Sequence, residues 1–373
     1  MPLVQNIRSR ILSTHYGGCS MKYCPRSLFL LTFLIVFLKP TKLISQDTAA
    51  SSAVTYSGFF DAYFVKNIAS PLAGVNKVRV FEPTDNEFNL ALGEIDFVKK
   101  AEPVGFRLDI GAGRVAGLAM TGLIQQAYVS VVVPVGSGIT VDVGQFVTHM
   151  GYEVIESKDN WNYSRSILFG WAIPFYHTGA RFSYPVLTNL SATLHVLNGW
   201  NQVSDNNTYK TLGLTLNYAM FPTTAIIVNA ISGVEASAPI YGKRSVFDLI
   251  VTQQLTDAFS VAINADYGEE RLGAGLATWK GGAGYAKYTF NAVSSAAVRY
   301  ELYNDGGNFS PLSTGASKLS EITATYEYKP YDNLIVRSEV RNDMSDTPFF
   351  DGKKAPATEK SQVTLLVGAI ITF

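Results

Sequence analysis

The chain has 373 residues, with 30 Lys+Arg against 30 Asp+Glu, so its formal net charge is zero. The balance is uneven: Arg8, Arg10, Lys22, Arg26, Lys39 and Lys42 fall in the first 45 positions, where there is no acid, leaving 24 basic against 30 acidic residues over the rest. A mildly acidic remainder gives no electrostatic reason to hold nucleic acid, and charged residues at 16 % are sparse for a soluble domain, where about 25 % is usual.

In chain order the first expected element is an export signal within residues 1–45. Lys22 and Arg26 form a basic stretch, and Leu28 to Leu38 is an eleven-residue apolar run, too short to span a bilayer as a helix. Ser45 supplies a small residue before Gln46-Asp47. Residues 1–20 add nothing to this signal, so Met21 is a candidate for the true start. Cys19 and Cys24 both precede the apolar run, so neither a lipid anchor nor a disulfide is expected after it. Residues 46–54 read as a short periplasmic tail, and 55–373 as one domain.

From Thr55 onward the pattern has period two. The first strand is expected at Thr55–Lys66. Phe106, Leu108, Ile110 and Ala112 then alternate with Arg107, Asp109 and Gly111. Ala127 to Val133, Leu190 to Val196 and Leu212 to Tyr218 repeat the rule. Later, Ala296, Val298, Tyr300 and Leu302 face away from Arg299 and Glu301, and Ile322, Ala324, Tyr326 and Tyr328 from Glu321 and Glu327. Successive strand side chains point to opposite faces, so each segment has one dry face and one wet face. With aromatics at 12 % and no spanning helix, this suits a barrel that meets lipid with half its side chains.

Link lengths carry the argument further. Short links at 99–105, 134–138, 184–189, 220–224, 256–259, 291–294 and 329–333 alternate with longer, polar links near 67–87, 114–123, 149–170, 198–209, 232–245, 268–278, 304–318 and 342–360. Fifteen connections imply about sixteen strands: an all-β, transmembrane, up-and-down antiparallel β-barrel in the outer membrane of a Gram-negative envelope. Fourteen or eighteen strands stay open. Helix is expected only in the signal and as a turn in the third long link. In the last strand Val363, Leu365, Val367, Ala369, Ile371 and Phe373 share one face. This strand resembles the C-terminal signal by which the barrel-assembly machinery selects its clients, with Phe373 as the assembly residue.

Gly58–Phe64, Gln125-Gln126-Ala127-Tyr128, Val143-Gly144-Gln145-Phe146 through Gly151-Tyr152-Glu153, Asn162–Ser166, His177–Arg181, Asn198-Gly199-Trp200-Asn201 with Asn206-Asn207, and Arg299-Tyr300-Glu301 together resemble the OmpL-like β-barrel porins of the porin-2 type. The resemblance covers most of the chain after the signal. It implies a barrel and a pore, and it supplies no substrate.

A charge on the lipid face near the midplane costs about 2–4 kcal/mol for Arg or Lys, so the strand charges are expected to face inward. Arg107, Asp109, Asp142, His177, Arg181, Arg299, Glu301, Glu321, Glu327, Arg337, Glu339 and Arg341 are therefore the predicted pore lining. The structural alternative is a set of cross-strand salt bridges filling the interior. The third long link carries Glu153, Glu156, Lys158, Asp159 and Arg165 around Trp161 and Tyr163. It is the constriction candidate, against an ordinary surface loop. Inward charges nearly cancel, so no ion preference follows. The tryptophans Trp161, Trp171, Trp200 and Trp279 fit either a sugar track or an interface girdle.

The predicted function is passive passage of small hydrophilic solutes, with no cofactor and no metal. An outer-membrane lipase or protease would need a Ser or water beside an oriented histidine; His177 and His195 share the inward face, but no acid is placed beside either. A display barrel would need longer loops than these. Expected partners are outer-membrane lipid, the assembly machinery, small solutes and, as an open question, copies of the same chain.

Overall fold

A computed structural model describes residues 53–236, 242–307, 309–310 and 318–373. The expected export signal lies outside them. Sixteen strands follow one another: β1 (Thr55–Asn67), β2 (Glu87–Lys99), β3 (Val104–Ala112), β4 (Ile124–Val133), β5 (Ile139–Val147), β6 (Tyr176–Leu187), β7 (Leu190–Leu197), β8 (Thr211–Phe221), β9 (Thr224–Val234), β10 (Lys243–Gln254), β11 (Phe259–Leu272), β12 (Gly275–Asn291), β13 (Ser294–Asn304), β14 (Lys318–Tyr331), β15 (Leu334–Ser345) and β16 (Ser361–Thr372). Each pairs with its neighbours in sequence, and β1 closes on β16. That closing pair is antiparallel, running from Phe59 opposite Thr372 to Asn67 opposite Thr364.

Closure satisfies every ladder without an edge, which lipid demands because it offers backbone groups no partner. Phe373 takes part directly. Its N–H donates to the Gly58 carbonyl and its carbonyl accepts from the Gly58 N–H, both at 3.0 Å. Its ring lies 5.9 Å from that of Phe60.

The two faces follow the alternation. Phe60, Phe88, Leu90, Tyr300, Tyr326, Leu365, Val367 and Ile371 are exposed on the outer surface, where lipid is their natural solvent. The inward residues Asp61, Asp109, Arg299, Glu321, Arg337 and Thr364 are buried.

Tight turns occupy one rim. The other rim carries L1 (68–86), L2 (113–123), L3 (148–175), L4 (198–210) and L8 (346–360), together with the described ends of the links after β9 and β13, set between the strands above. The sixth link on that rim differs from the expected long loop over 268–278. β11 and β12 run on as a ladder to Leu272 opposite Gly275, so only residues 273 and 274 form the turn. Gly273 takes it with φ +59°, a conformation that a side chain would oppose; polar composition there reflects an extended hairpin, not a loop. A second difference is a four-residue helix in L2, α1 (Ala116–Ala119). L3 holds a 3-10 turn at Ser157–Asp159 and a single π turn at Leu168–Ala172.

Candidate functional site

L3 lies inside the barrel. It leaves β5 and crosses the lumen, where the Gly151 N–H donates to Asp248 on β10 at 3.0 Å and the Tyr152 N–H to Asn264 on β11 at 3.2 Å. Its local fold is set by its own polar side chains. Asn160 accepts from the Val154 N–H at 2.9 Å and donates to the Val154 carbonyl at 2.8 Å. The Glu153 carboxylate accepts from the Ser166 N–H at 2.7 Å and its hydroxyl at 2.6 Å. A loop without strand partners must satisfy its backbone in some such way.

The wall from β13 to β1 supplies the remaining partners. Arg299 donates to Glu153 and to the Ser164 carbonyl, each at 2.6 Å, and to Glu321 at 2.5 Å. Arg337 donates to the Ser157 carbonyl at 2.5 Å and to Glu327 at 2.6 Å. Arg341 donates to the Arg165 carbonyl at 2.6 Å and to Asp343 at 2.7 Å. Glu339 accepts from the Tyr163 N–H at 2.8 Å, and Glu301 from the Ile167 N–H at 2.7 Å and the Leu168 N–H at 2.5 Å. Asp61 on β1 accepts from the Tyr163 hydroxyl at 2.6 Å and from the Ser157 hydroxyl.

Two glycines make room for this docking. A Cβ on Gly281 would collide with Leu168 Cδ1, and one on Gly368 with the ring of Tyr163. The glycine run Gly281–Gly284, which departs from strand preference, thus has a close approach at its first residue. L3 also shares an apolar core with the wall and with L1: Tyr163, Ile167, Leu168 and Phe169 bury against Phe59, Tyr63, Phe81 and Trp279. L1 covers the loop from above, with Phe81 edge-on to Phe175 at 5.6 Å and Arg165 3.6 Å from Glu82.

The opposite wall is organised differently. On β3, Arg107 Nε donates to both oxygens of Asp109 at 2.9 and 2.8 Å. Gln126 on β4 donates to the same carboxylate at 2.6 Å. Arg181 on β6 donates to Asp142 on β5 at 2.7 Å and lies over the rings of Tyr128 and Phe146. Between this wall and L3 is a cavity of about 250 Å³, bordered by Glu94, Asp96 and Arg107 on the strands and by Glu153, Glu156, Lys158 and Asp159 on the loop.

All twelve predicted lining residues therefore face inward, but they part into two groups. Arg299, Glu301, Glu321, Glu327, Arg337, Glu339 and Arg341 are buried beneath L3 and bind its backbone or one another. Among the rest only Arg107 borders the cavity. Four of the five loop candidates border it too; Arg165 instead is buried, donating to the Tyr163 carbonyl at 2.8 Å and to the Ile155 carbonyl. Glu94 and Asp96 were not among the expected residues, although Ile95 and Phe97 alternate with them and the same parity rule finds them. Nothing in the sequence signalled that L1 covers L3.

The three histidines among the described residues form a cluster. His149 stacks on His195 with centroids 4.0 Å apart and lies 5.5 Å from His177. Their hydrogen bonds go to the Ala230 and Gly199 carbonyls and to the Thr148 and Thr215 hydroxyls. Among the described residues none of them bonds a carboxylate, so the orienting acid of a hydrolytic triad is missing. The tryptophans sit within this interior and its loops. Trp279 stacks on Phe309 at 3.5 Å, with Trp200 edge-on to it, and donates to the Ala172 carbonyl at 3.0 Å.

The model of the family described as "Putative beta-barrel porin-2, OmpL-like" matches residues 53–373. None of the curated proteins matches the sequence. Among solved structures, an anion-selective porin from Comamonas acidovorans is similar, with TM-score 0.61 and 11 % identity over 86 % of this chain and 99 % of that one. The outer membrane channel DcaP of Acinetobacter baumannii gives 0.58 and 12 % over 88 % and 99 %. The trimer form of OmpT from Vibrio cholerae gives 0.58 and 11 % over 86 % and 99 %. At these identities the likeness is one of fold.

Proposed function

We propose, from the premise that the chain belongs to the OmpL-like β-barrel porin family and is a porin-type channel of the outer membrane, that it passes small hydrophilic solutes passively along the lumen beside L3. The observation that carries this reading is the cavity of about 250 Å³ between the loop and the β2–β5 wall, where charged side chains and Gln126 stand beside apolar ones such as Val147 and Phe175. A barrel of this size does not fill its lumen with wall side chains alone; here L3 enters the lumen, and the charged gap beside it offers hydrated solutes water-compatible groups. Passage down a gradient needs neither cofactor nor energy coupling.

Residues 1–45 would direct export. Phe373, in ladder register with Gly58, would be read by the barrel-assembly machinery. Because an OmpT of the same fold is described in a trimer form, association of identical chains belongs to the same proposal. Planar bilayers with purified protein test the channel: discrete, ohmic openings are expected, and silent bilayers at protein densities where other barrels insert would refute it.

A further inference from the structure

The cavity beside L3 has an uneven charge account. Its basic residues are committed: Arg107 is held by Asp109 at 2.8 Å and Lys158 by Asp159 at 2.5 Å. Glu153 is neutralised by Arg299 at 2.6 Å. That leaves Glu94, Asp96 and Glu156 on the lining, and among the described residues no cationic side chain pairs with any of them. Asp96 accepts one bond from the Ser57 hydroxyl at 3.3 Å, and its other oxygen has no partner.

Glu94 is the decisive member. It is only 2 % exposed, it borders the cavity, and its Oε2 has no hydrogen-bond partner. A buried carboxylate beside other carboxylates must take up a proton or a positive counter-ion. Glu153 and Asp159, the other carboxylates bordering the cavity, each have a cation beside them, whereas Glu94, Asp96 and Glu156 have none among the described residues, and the cavity they line is where a counter-ion would sit. The geometry points to a cation site in the cavity between L3 and the β2–β5 wall, formed by Glu94 and Asp96 from β2 and Glu156 from L3, which makes the channel prefer cationic solutes over anionic ones. The three groups come from opposite sides of the gap, so a passing ion meets carboxylates on both the wall and the loop. The inference rests on the channel reading above and gives it a substrate class.

The test is the reversal potential of the reconstituted full-length protein under a steep KCl gradient. The wild type should favour potassium, with a permeability ratio to chloride above about 3, since a focused negative field raises the local counter-ion concentration severalfold. The variant E94Q/D96N/E156Q should bring the ratio close to one while still opening. A wild-type ratio at or below one, or a triple variant with an unchanged ratio, overturns the site and leaves the channel standing. Silence from every preparation would overturn the channel reading and this site with it. Should the triple variant fail to insert, Glu156→Gln on the loop alone decides: a lowered ratio supports the site and an unchanged one overturns it.

Discussion

Two walls of one barrel carry the same kind of inward charge and use it in different ways. On the β13–β16 side, Arg299, Arg337 and Arg341 are at most 2 % exposed, and each spends a guanidinium hydrogen on a carbonyl of L3. On the β2–β5 side, Arg107 keeps over a third of its side chain accessible and its hydrogen bonds go to a neighbour two residues away. The first set works as a clamp. The second borders the open space. Parity along a strand decides that a charge faces inward, and the path of a loop decides whether it then meets water. The difference also sets the energy at stake, because an ion pair taken from water depends on both partners far more than an exposed one does.

The comparison can be broken most severely at the loop. Deleting residues 156–163 removes the carbonyls that Arg337 holds and the Tyr163 anchor, and should raise single-channel conductance by roughly twofold or more, as expected when a constriction is withdrawn. An unchanged conductance would take L3 out of the solute path. Next in size is Arg299→Ala. It leaves Glu153 buried without its cation and Glu321 with Arg341 alone, 3.7 Å away, which should cost about 3–5 kcal/mol. Thermal unfolding in detergent reads this, and an unshifted midpoint would show that the clamp carries no stability.

A steric test of the same wall is Gly368→Leu. The new side chain would occupy the seat of the Tyr163 ring and break its bond to Asp61, at about 1–3 kcal/mol for overpacking. Full stability would mean that the ring has another seat. On the opposite wall, Arg107→Gln should cost less, about 1–2 kcal/mol: Asp109 is buried but keeps Gln126 as a donor, and Arg107 itself is partly exposed. A loss as large as that of Arg299→Ala would erase the distinction between the walls.

The smallest effect lies outside the membrane, where Lys77 in L1 holds Asp351 in L8 at 2.7 Å. Burial pushes the Asp351 carboxyl up, but the Lys77 ammonium and the Ala357 N–H outweigh it and hold the group below its ordinary value. A depressed folded value means that the pair contributes above the unfolded value near 3.9 and fades as pH falls through the folded one. Lys77→Met should therefore lower stability by about 1 kcal/mol or less at neutral pH, and the gap from wild type should close below about pH 4. A gap that persists in acid would assign the effect to the Lys77 ammonium's bond to the Phe349 carbonyl and its contact with that ring instead.

The amino-acid sequence alone determined the barrel. Strand positions, closure through Phe373 and the inward set of charges all follow from period two and from the need of every backbone group for a partner in lipid, and both act over a few neighbouring residues. The third long link could be singled out from its place in the order of links, and Glu153, Glu156, Lys158 and Asp159 border the cavity. The short turn after Leu272 was misread because polar residues suit an extended hairpin as well as a loop.

What only the tertiary structure decided is how wall and loop meet. Tyr163 reaches Glu339 across 176 positions and Arg337 reaches Ser157 across 180. Gly281 and Gly368 matter only because Leu168 and Tyr163 arrive there. Glu94 is left without a counter-ion only because each cation near the cavity is engaged elsewhere. A strand pattern records which face a side chain takes, since that is fixed by the local geometry of the chain. It holds no record of which distant segment will fill the space in front of it, because that depends on competition among all the partners the closed barrel brings within reach.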